Sequence, residues 1–165
     1  MVLVGIHYGS IPVGLLVYYR KAMDQAIRRY IVSLAQKLQG TPYLWGGSSP
    51  HSGLDCSGFI VWVLQVFEIL PSGDWTADNL YHTFLATISP QPGDLVFYGS
   101  MDRVTHIMMY VGSLSGTPYC VGASGGDSST VTEEIAKAKG ARVKMKPVHY
   151  RKDFVGYGSI IGDAS

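Results

Sequence analysis

From Arg20 to Leu38 apolar side chains recur at three- and four-residue intervals, at Met23, Ile27, Tyr30, Ile31, Leu34 and Leu38. That spacing lines one face of a helix and predicts an amphipathic helix closed by Gly40 and Pro42. Thr41 to Gly53 is rich in Gly, Ser and Pro and reads as a long irregular loop. The loop delivers the chain to Cys56, where a mostly apolar helix carrying Phe59, Ile60, Val63, Leu64 and Phe67 is predicted to begin, run to about Leu70 and stop at Pro71. A short helix over Thr76 to Leu85 follows, capped by Thr76 or Asp74, with Leu80 and Phe84 facing inward.

The period then changes. Leu95 to Tyr98, Ile107 to Val111, Tyr119 to Ala123, Val143 to Val148 and Val155 to Ile161 read as strands between Gly, Ser and Pro turns, with a short helix near Thr132 to Lys139. Helices first and strands later predict an α+β fold with an antiparallel sheet of about five strands. At 165 residues and 47% hydrophobic content the chain fits one domain, assigned here to residues 20–165.

Residues 1–19 are set apart as an apolar segment, because Val2 to Tyr19 holds no Asp, Glu, Lys or Arg and ends at Arg20 and Lys21. Its length approaches a membrane span, but Gly5, His7, Gly9, Ser10, Pro12 and Gly14 interrupt it. A cleaved secretory signal would also carry positive charge before the apolar core and small residues after it, and neither is evident. The segment is therefore expected to be an arm or short helix that docks on the domain or on a protein partner, and a membrane is not the expected partner.

Thirteen basic against twelve acidic side chains leave a net charge of +1, which gives nucleic acid no electrostatic purchase. The chain has two cysteines, and Cys120, in the apolar run Tyr119 to Val121, reads as core. No CxxC pair or compact His and Cys cluster occurs, so neither a metal nor another cofactor is expected. Cys56 differs from Cys120 in standing where a helix begins, at a terminus whose unpaired N–H groups and partial positive charge favour a thiolate. A histidine is the minimum partner for thiol catalysis, and His106 stands at the start of the strand Ile107 to Val111.

Four motifs lie in order: Pro42, Tyr43, Leu44, Trp45, Gly46, Gly47; then Asp55, Cys56, Ser57, Gly58; then Pro92, Gly93, Asp94, Leu95, Val96, Phe97; then His106 opening a strand that ends Tyr110, Val111, Gly112. Together they resemble the NlpC-type cell-wall peptidases, a papain-like cysteine peptidase family, over roughly Ala26 to Ile160. The resemblance implies a papain-like domain whose nucleophile helix carries Cys56 and packs on a sheet that carries His106. It also implies hydrolysis, at the bacterial cell wall, of amide bonds in peptidoglycan stem peptides, typically between D-glutamate and a diamino acid. Tyr43 is implied to assist the oxyanion beside the Cys56 N–H, and Asp55 and Ser57 to bind a free amine of the stem peptide. Asp55 serves equally well as a helix cap, and Asp94 orders the turn into its strand.

One position departs from that pattern. The family supplies a polar residue, commonly histidine, on the strand next to that of the catalytic histidine, and here Gly122 falls on that position. Ser124, Asp127, a backbone carbonyl or a water is then expected to orient the imidazole. His51 and His149 read as surface or structural. Two other functions share the same residues: a weakly catalytic or non-catalytic wall-penetrating component of a phage-like tail, docked through its N-terminal segment, and a thiol acyltransferase of the same fold. The expected location is accordingly outside the cell, secreted or tail-associated.

Overall fold

The Asp55 carboxylate starts the helix that organises the domain. In the computed structural model, which describes residues 12–161, Asp55 accepts a hydrogen bond from Gly58 N at 2.7 Å and caps a helix over Cys56–Val66. This helix, α2, follows α1 (Val13–Lys37) and a two-strand hairpin of β1 (Ser48–Ser49) and β2 (Gly53–Leu54). Phe59, Ile60, Val61, Val63 and Leu64 bury its inner face. It ends sooner than its apolar run suggests, because Phe67 leaves helical geometry and Glu68 takes a φ of 56°.

The rest of the chain alternates between sheet and covering elements: α3 (Ala77–Thr83), β3 (Leu85–Thr87), β4 (Leu95–Gly99), β5 (Val104–Leu114), β6 (Thr117–Ser124), α4 (Glu133–Lys139), β7 (Arg142–Pro147), a 3-10 turn (Val148–Tyr150) and β8 (Phe154–Ser159). Six strands pair in the order β3-β8-β4-β5-β6-β7, every neighbour antiparallel. The expected α+β architecture stands, with one strand more than anticipated. The extra strand, β3, is a three-residue edge strand whose Leu85 is exposed, too short and too wet to show in a hydrophobic pattern.

The sheet separates two cores. The larger joins Phe59, Ile60, Val63 and Leu64 of α2, Ile31 and Ala35 of α1, and Leu95, Phe97, Ile107, Met109, Val121 and Val143 of the strands. The smaller joins Val96, Tyr98, Met108, Tyr110, Cys120 and Val148. Cys120 is fully buried there, the core position its sequence neighbours suggest.

Asp94 does more than order its turn. Almost wholly buried, it accepts from Gln91 N at 2.7 Å and Ile160 N at 3.2 Å and pairs with Arg28 at 2.7 Å, which ties α1 to the sheet. Buried ion pairs tolerate little loss, since removing one partner strands the other charge.

The expected boundary at Arg20 does not divide the structure. Helix α1 begins at Val13, so residues 13–19 are its first turns rather than a separate arm, and residues 1–11 lie outside the described residues. Val13, Leu16, Val17, Tyr18 and Tyr19 are exposed on those turns. No described helix is long and apolar enough to cross a membrane.

Between the hairpin and α2, backbone meets backbone. Gly47 O accepts from Asp55 N at 2.9 Å, and a Cβ on Gly58 would lie 2.0 Å from that same oxygen. Gly46 takes a positive φ of 71°, whereas Gly47 is required for close approach, its Cβ falling 2.5 Å from Gly53 O. A Gly58→Ala substitution is expected to destabilise the fold by about 2 kcal/mol or more, because both groups are backbone and cannot turn aside. Urea unfolding of the variant measures this directly.

Candidate active site

The loop after α1 places Tyr43 by backbone bonds: Tyr43 N donates to Ala141 O at 3.1 Å, and Trp45 N donates to Thr130 O at 2.8 Å. The Tyr43 ring is buried against Gly126, where a Cβ would come within 2.2 Å of it. The start of β5 is held from α3, whose Asp78 accepts from Val104 N at 2.8 Å. His106 is therefore the third residue of a strand already anchored, not its first.

Tyr43, Asp55, Cys56, Ser57 and His106 all line one cleft of about 550 Å³, together with Trp45, Arg103, Asp127 and Arg151. The five residues singled out from sequence thus come together. His51 and His149 do not join them: both are exposed, and the His149 ring packs on Phe154 with centroids 4.9 Å apart. Among the described residues no group of three or more His, Cys, Asp or Glu side chains is placed to hold a metal ion.

Asp55 acts as a clasp. One carboxylate oxygen accepts from Gly58 N at 2.7 Å and from the Ser57 hydroxyl at 3.0 Å, and the other accepts from Gly46 N at 3.0 Å. The capping alternative for Asp55 is therefore the observed one, and it also ties the aromatic and double-glycine loop to the start of α2.

The thiol does not have the depressed pKa its helix terminus suggests. Burial first, and the Asp55 charge second, push the Cys56 thiol up to about 11, outweighing the Ile107, Ser57 and Cys56 backbone N–H groups that favour the thiolate. Burial, reinforced by the positive charge of Arg151, pulls His106 down to about 4. Both shifts favour a neutral thiol beside a neutral imidazole, a state in which the imidazole has a nitrogen free to take up a proton. Burial, then the nearby Cys56, Asp55 and Asp127 charges, keep Tyr43 protonated well beyond the ordinary phenol range. It is available as a donor at any working pH.

With this geometry in hand, the sequence model of the NlpC/P60 family matches residues 40–152. The chain belongs to the NlpC/P60 family. Similar curated proteins include the bifunctional muramidase/DL-endopeptidase CwlT of Bacillus subtilis, 36% identical over 107 residues that make up 61% of this chain and 29% of that protein. The murein DD-endopeptidase MepH of Escherichia coli is 34% identical over 110 residues, 61% of this chain and 39% of that one. The chain matches between about a sixth and two-fifths of the length of such relatives. Among solved structures, the NlpC/p60 domain of the peptidoglycan hydrolase SagA superposes with a TM-score of 0.57 at 28% identity, covering 80% of this chain and 97% of that one. RipD of Mycobacterium tuberculosis, described as a non-catalytic NlpC/p60 domain protein, superposes with a TM-score of 0.54 at 18% identity, which speaks to the shared papain-like fold alone.

This NlpC/P60 domain departs from the expected pattern where the sequence suggested. Gly122 lies on β6, and a Cβ there would be 3.1 Å from Met108 Cγ. The fully buried Met108 side chain fills the space an orienting residue would occupy. Among the described residues neither Ser124 nor Asp127 forms a hydrogen bond to the imidazole. Ser124 is buried with a hydroxyl that has no hydrogen-bond partner among the described residues. Asp127 is drawn down to about 2 by Ser129 and Lys139, both of whose polar groups it accepts from. The group that meets His106 Nε2, at 3.0 Å, is the hydroxyl of Tyr150. Sequence reasoning passed over it because Tyr150 closes a 3-10 turn after β7 with no motif around it.

Three outcomes are expected. Asp55→Ala should cost about 1 kcal/mol of stability through loss of the cap, lowering Tm by about 2–4 °C in calorimetry. The acid limb of kcat/KM should fall near pH 4, not near the ordinary histidine value of about 6.5. The sign for stability follows: with its folded pKa depressed, His106 contributes stability fully present above about pH 6.5 and lost as pH falls through about 4. Replacing His106 with Gln should shrink the loss of Tm between pH 7 and pH 4.

Proposed function

We propose that the protein is a cysteine endopeptidase of bacterial peptidoglycan, cleaving the stem-peptide amide between D-glutamate and the following diamino acid. The observation that carries this reading is the sharing of one cleft by Cys56, at the cap of α2, and His106, on β5. Its support also includes family membership and the endopeptidase names of its relatives.

Chemistry follows from the neutral resting pair. His106 takes the thiol proton as sulfur attacks the amide carbon, so charge develops only as the bond forms. The resulting oxyanion is met by the Cys56 N–H at the start of α2 and by the Tyr43 hydroxyl. Collapse breaks the C–N bond, and His106 gives its proton to the leaving amine. Water, deprotonated by His106, then hydrolyses the thioester; the sulfur leaves with that proton and the resting pair is restored.

Charge in the cleft suits a short peptide rather than a large folded protein. Asp55 and Asp127 sit among the lining residues with Arg103 and Arg151, a mixed set that matches a substrate bearing a free amine and carboxylates. Asp55 and Ser57 take the amine in this reading, the carboxylate retaining acceptor capacity beyond the cap.

A second reading is favoured by the exposed Val13, Leu16, Val17, Tyr18 and Tyr19 on the first turns of α1: docking onto a larger assembly, such as a phage-like tail, that carries the domain to the wall. The two are compatible. Sedimentation of the chain with and without residues 1–19 checks it, since docking among copies or onto a partner should be lost with that segment.

For the enzyme itself, Cys56→Ala should abolish release of soluble fragments from purified peptidoglycan, and His106→Ala should reduce it by at least about a hundredfold. Mass spectrometry of the fragments names the bond and separates hydrolysis from acyl transfer, which would leave the acyl group on a second amine. Full fragment release by Cys56→Ala sinks the proposal.

A further inference from the structure

The imidazole of His106 meets two phenols, Tyr98 and Tyr150, that no motif of the chain announces. Tyr98 on β4 lies beside it with ring centroids 5.6 Å apart. The Tyr98 hydroxyl donates to Val148 O at 2.8 Å, in a fully buried position, and so anchors the first residue of the 3-10 turn. Tyr150, two residues on, packs edge-on against the same Tyr98 ring at 5.5 Å and lies under the Lys146 ammonium at 5.7 Å. One phenol thus fixes both the histidine and the turn that brings a second phenol to Nε2.

Two further observations say that this contact is built rather than incidental. The β6 position that the family resemblance assigns to an orienting side chain is Gly122, and Met108 packs directly against it. The Arg151 guanidinium, next in the chain, is locked on Asp153 by bonds from Nε at 2.8 Å and from its second terminal nitrogen, and lies 5.6 Å from the Tyr98 ring. The turn is therefore secured on both sides of Tyr150.

We propose that Tyr150 is the positioning residue of this site: its hydroxyl accepts a hydrogen bond from Nε2–H of His106 and so leaves Nδ1 unprotonated toward the Cys56 thiol. The inference rests on reading Cys56 and His106 as the reacting pair. A histidine has one proton to place when neutral, and only the tautomer with that proton on Nε2 can receive the thiol proton at Nδ1. A phenol partner also differs in kind from a carboxylate. It orients the ring without adding a negative charge, so the imidazolium gains little between turnovers. That agrees with the low His106 value and with a Tyr150 phenol held at about 12, chiefly by burial.

Tyr150→Phe keeps the ring and its packing on Tyr98 while removing the hydroxyl. Expected is a tenfold to hundredfold fall in kcat with KM within about twofold and Tm within about 2 °C of the parent. Alkylation of Cys56 by iodoacetamide at pH 7.5 reads the same pair without any substrate, and fully buried Cys120 does not compete. Its rate should fall by about tenfold in the variant, with Cys56→Ala as the blank. Nitrogen NMR of the unsubstituted protein should show His106 as the Nε2–H tautomer, and this decides the matter even if the Phe variant fails to fold.

A Nδ1–H tautomer in the unsubstituted protein overturns the proposal, as does a folded Tyr150→Phe variant whose alkylation rate stays within twofold. Absence of peptidoglycan cleavage by the unsubstituted protein would count against the proposed substrate and leave the alkylation and NMR readings to judge Tyr150 on their own.

Discussion

The site depends on one carboxylate. Asp55 accepts from Gly58 N, Ser57 Oγ and Gly46 N at once, and in doing so decides where α2 begins, where the thiol stands and how the preceding loop closes over it. Around that clasp the backbone of Gly47 and Gly58 comes close enough to exclude any Cβ, so the loop and the helix form one rigid piece. The same charge works against ionisation of the neighbouring thiol. Placing the Cys56 thiol and ionising it are thus opposed demands on a single residue, and the structure favours placement.

That choice makes the rest of the electrostatics coherent. Burial withholds charge from both Cys56 and His106, and the side chains beside them include three phenols, Tyr43, Tyr98 and Tyr150, each held neutral chiefly by burial. Asp127, exposed at the rim of the same cleft, is held ionised by Ser129 and Lys139. Cys56 and His106 thus sit in neutral surroundings with charged groups at the edge of the cleft.

The two cores divide this labour. The larger one presses α2 onto the sheet and sets the height of Cys56, while the smaller one, on the Tyr98 and Met108 side, builds the aromatic support of His106. The buried Arg28 and Asp94 pair draws α1 to the end of β4, leaving the first turns of α1 to project with their apolar side chains uncovered. The cleft that holds Cys56 and His106 and these exposed apolar turns therefore belong to different parts of the molecule.

The local elements were legible because their signals are local: the three- and four-residue spacing of α1, the Asp55 cap ahead of an apolar run, and the strands between Gly and Pro turns each depend on neighbours in the chain. The pairing of Cys56 with His106 was legible only through a resemblance carried by four ordered motifs. What a local pattern cannot contain was missed. Burial by residues distant in sequence pushes the Cys56 thiol up against the pull of the helix terminus. By itself the sequence determined the main helices and the five longer strands of the sheet, since those rest on short-range spacing and side-chain chemistry. Only the tertiary structure decided what steadies the histidine: Tyr150 lies 44 positions away, and reaches it because Met108 closes the Gly122 route and Tyr98 anchors the turn that opens another.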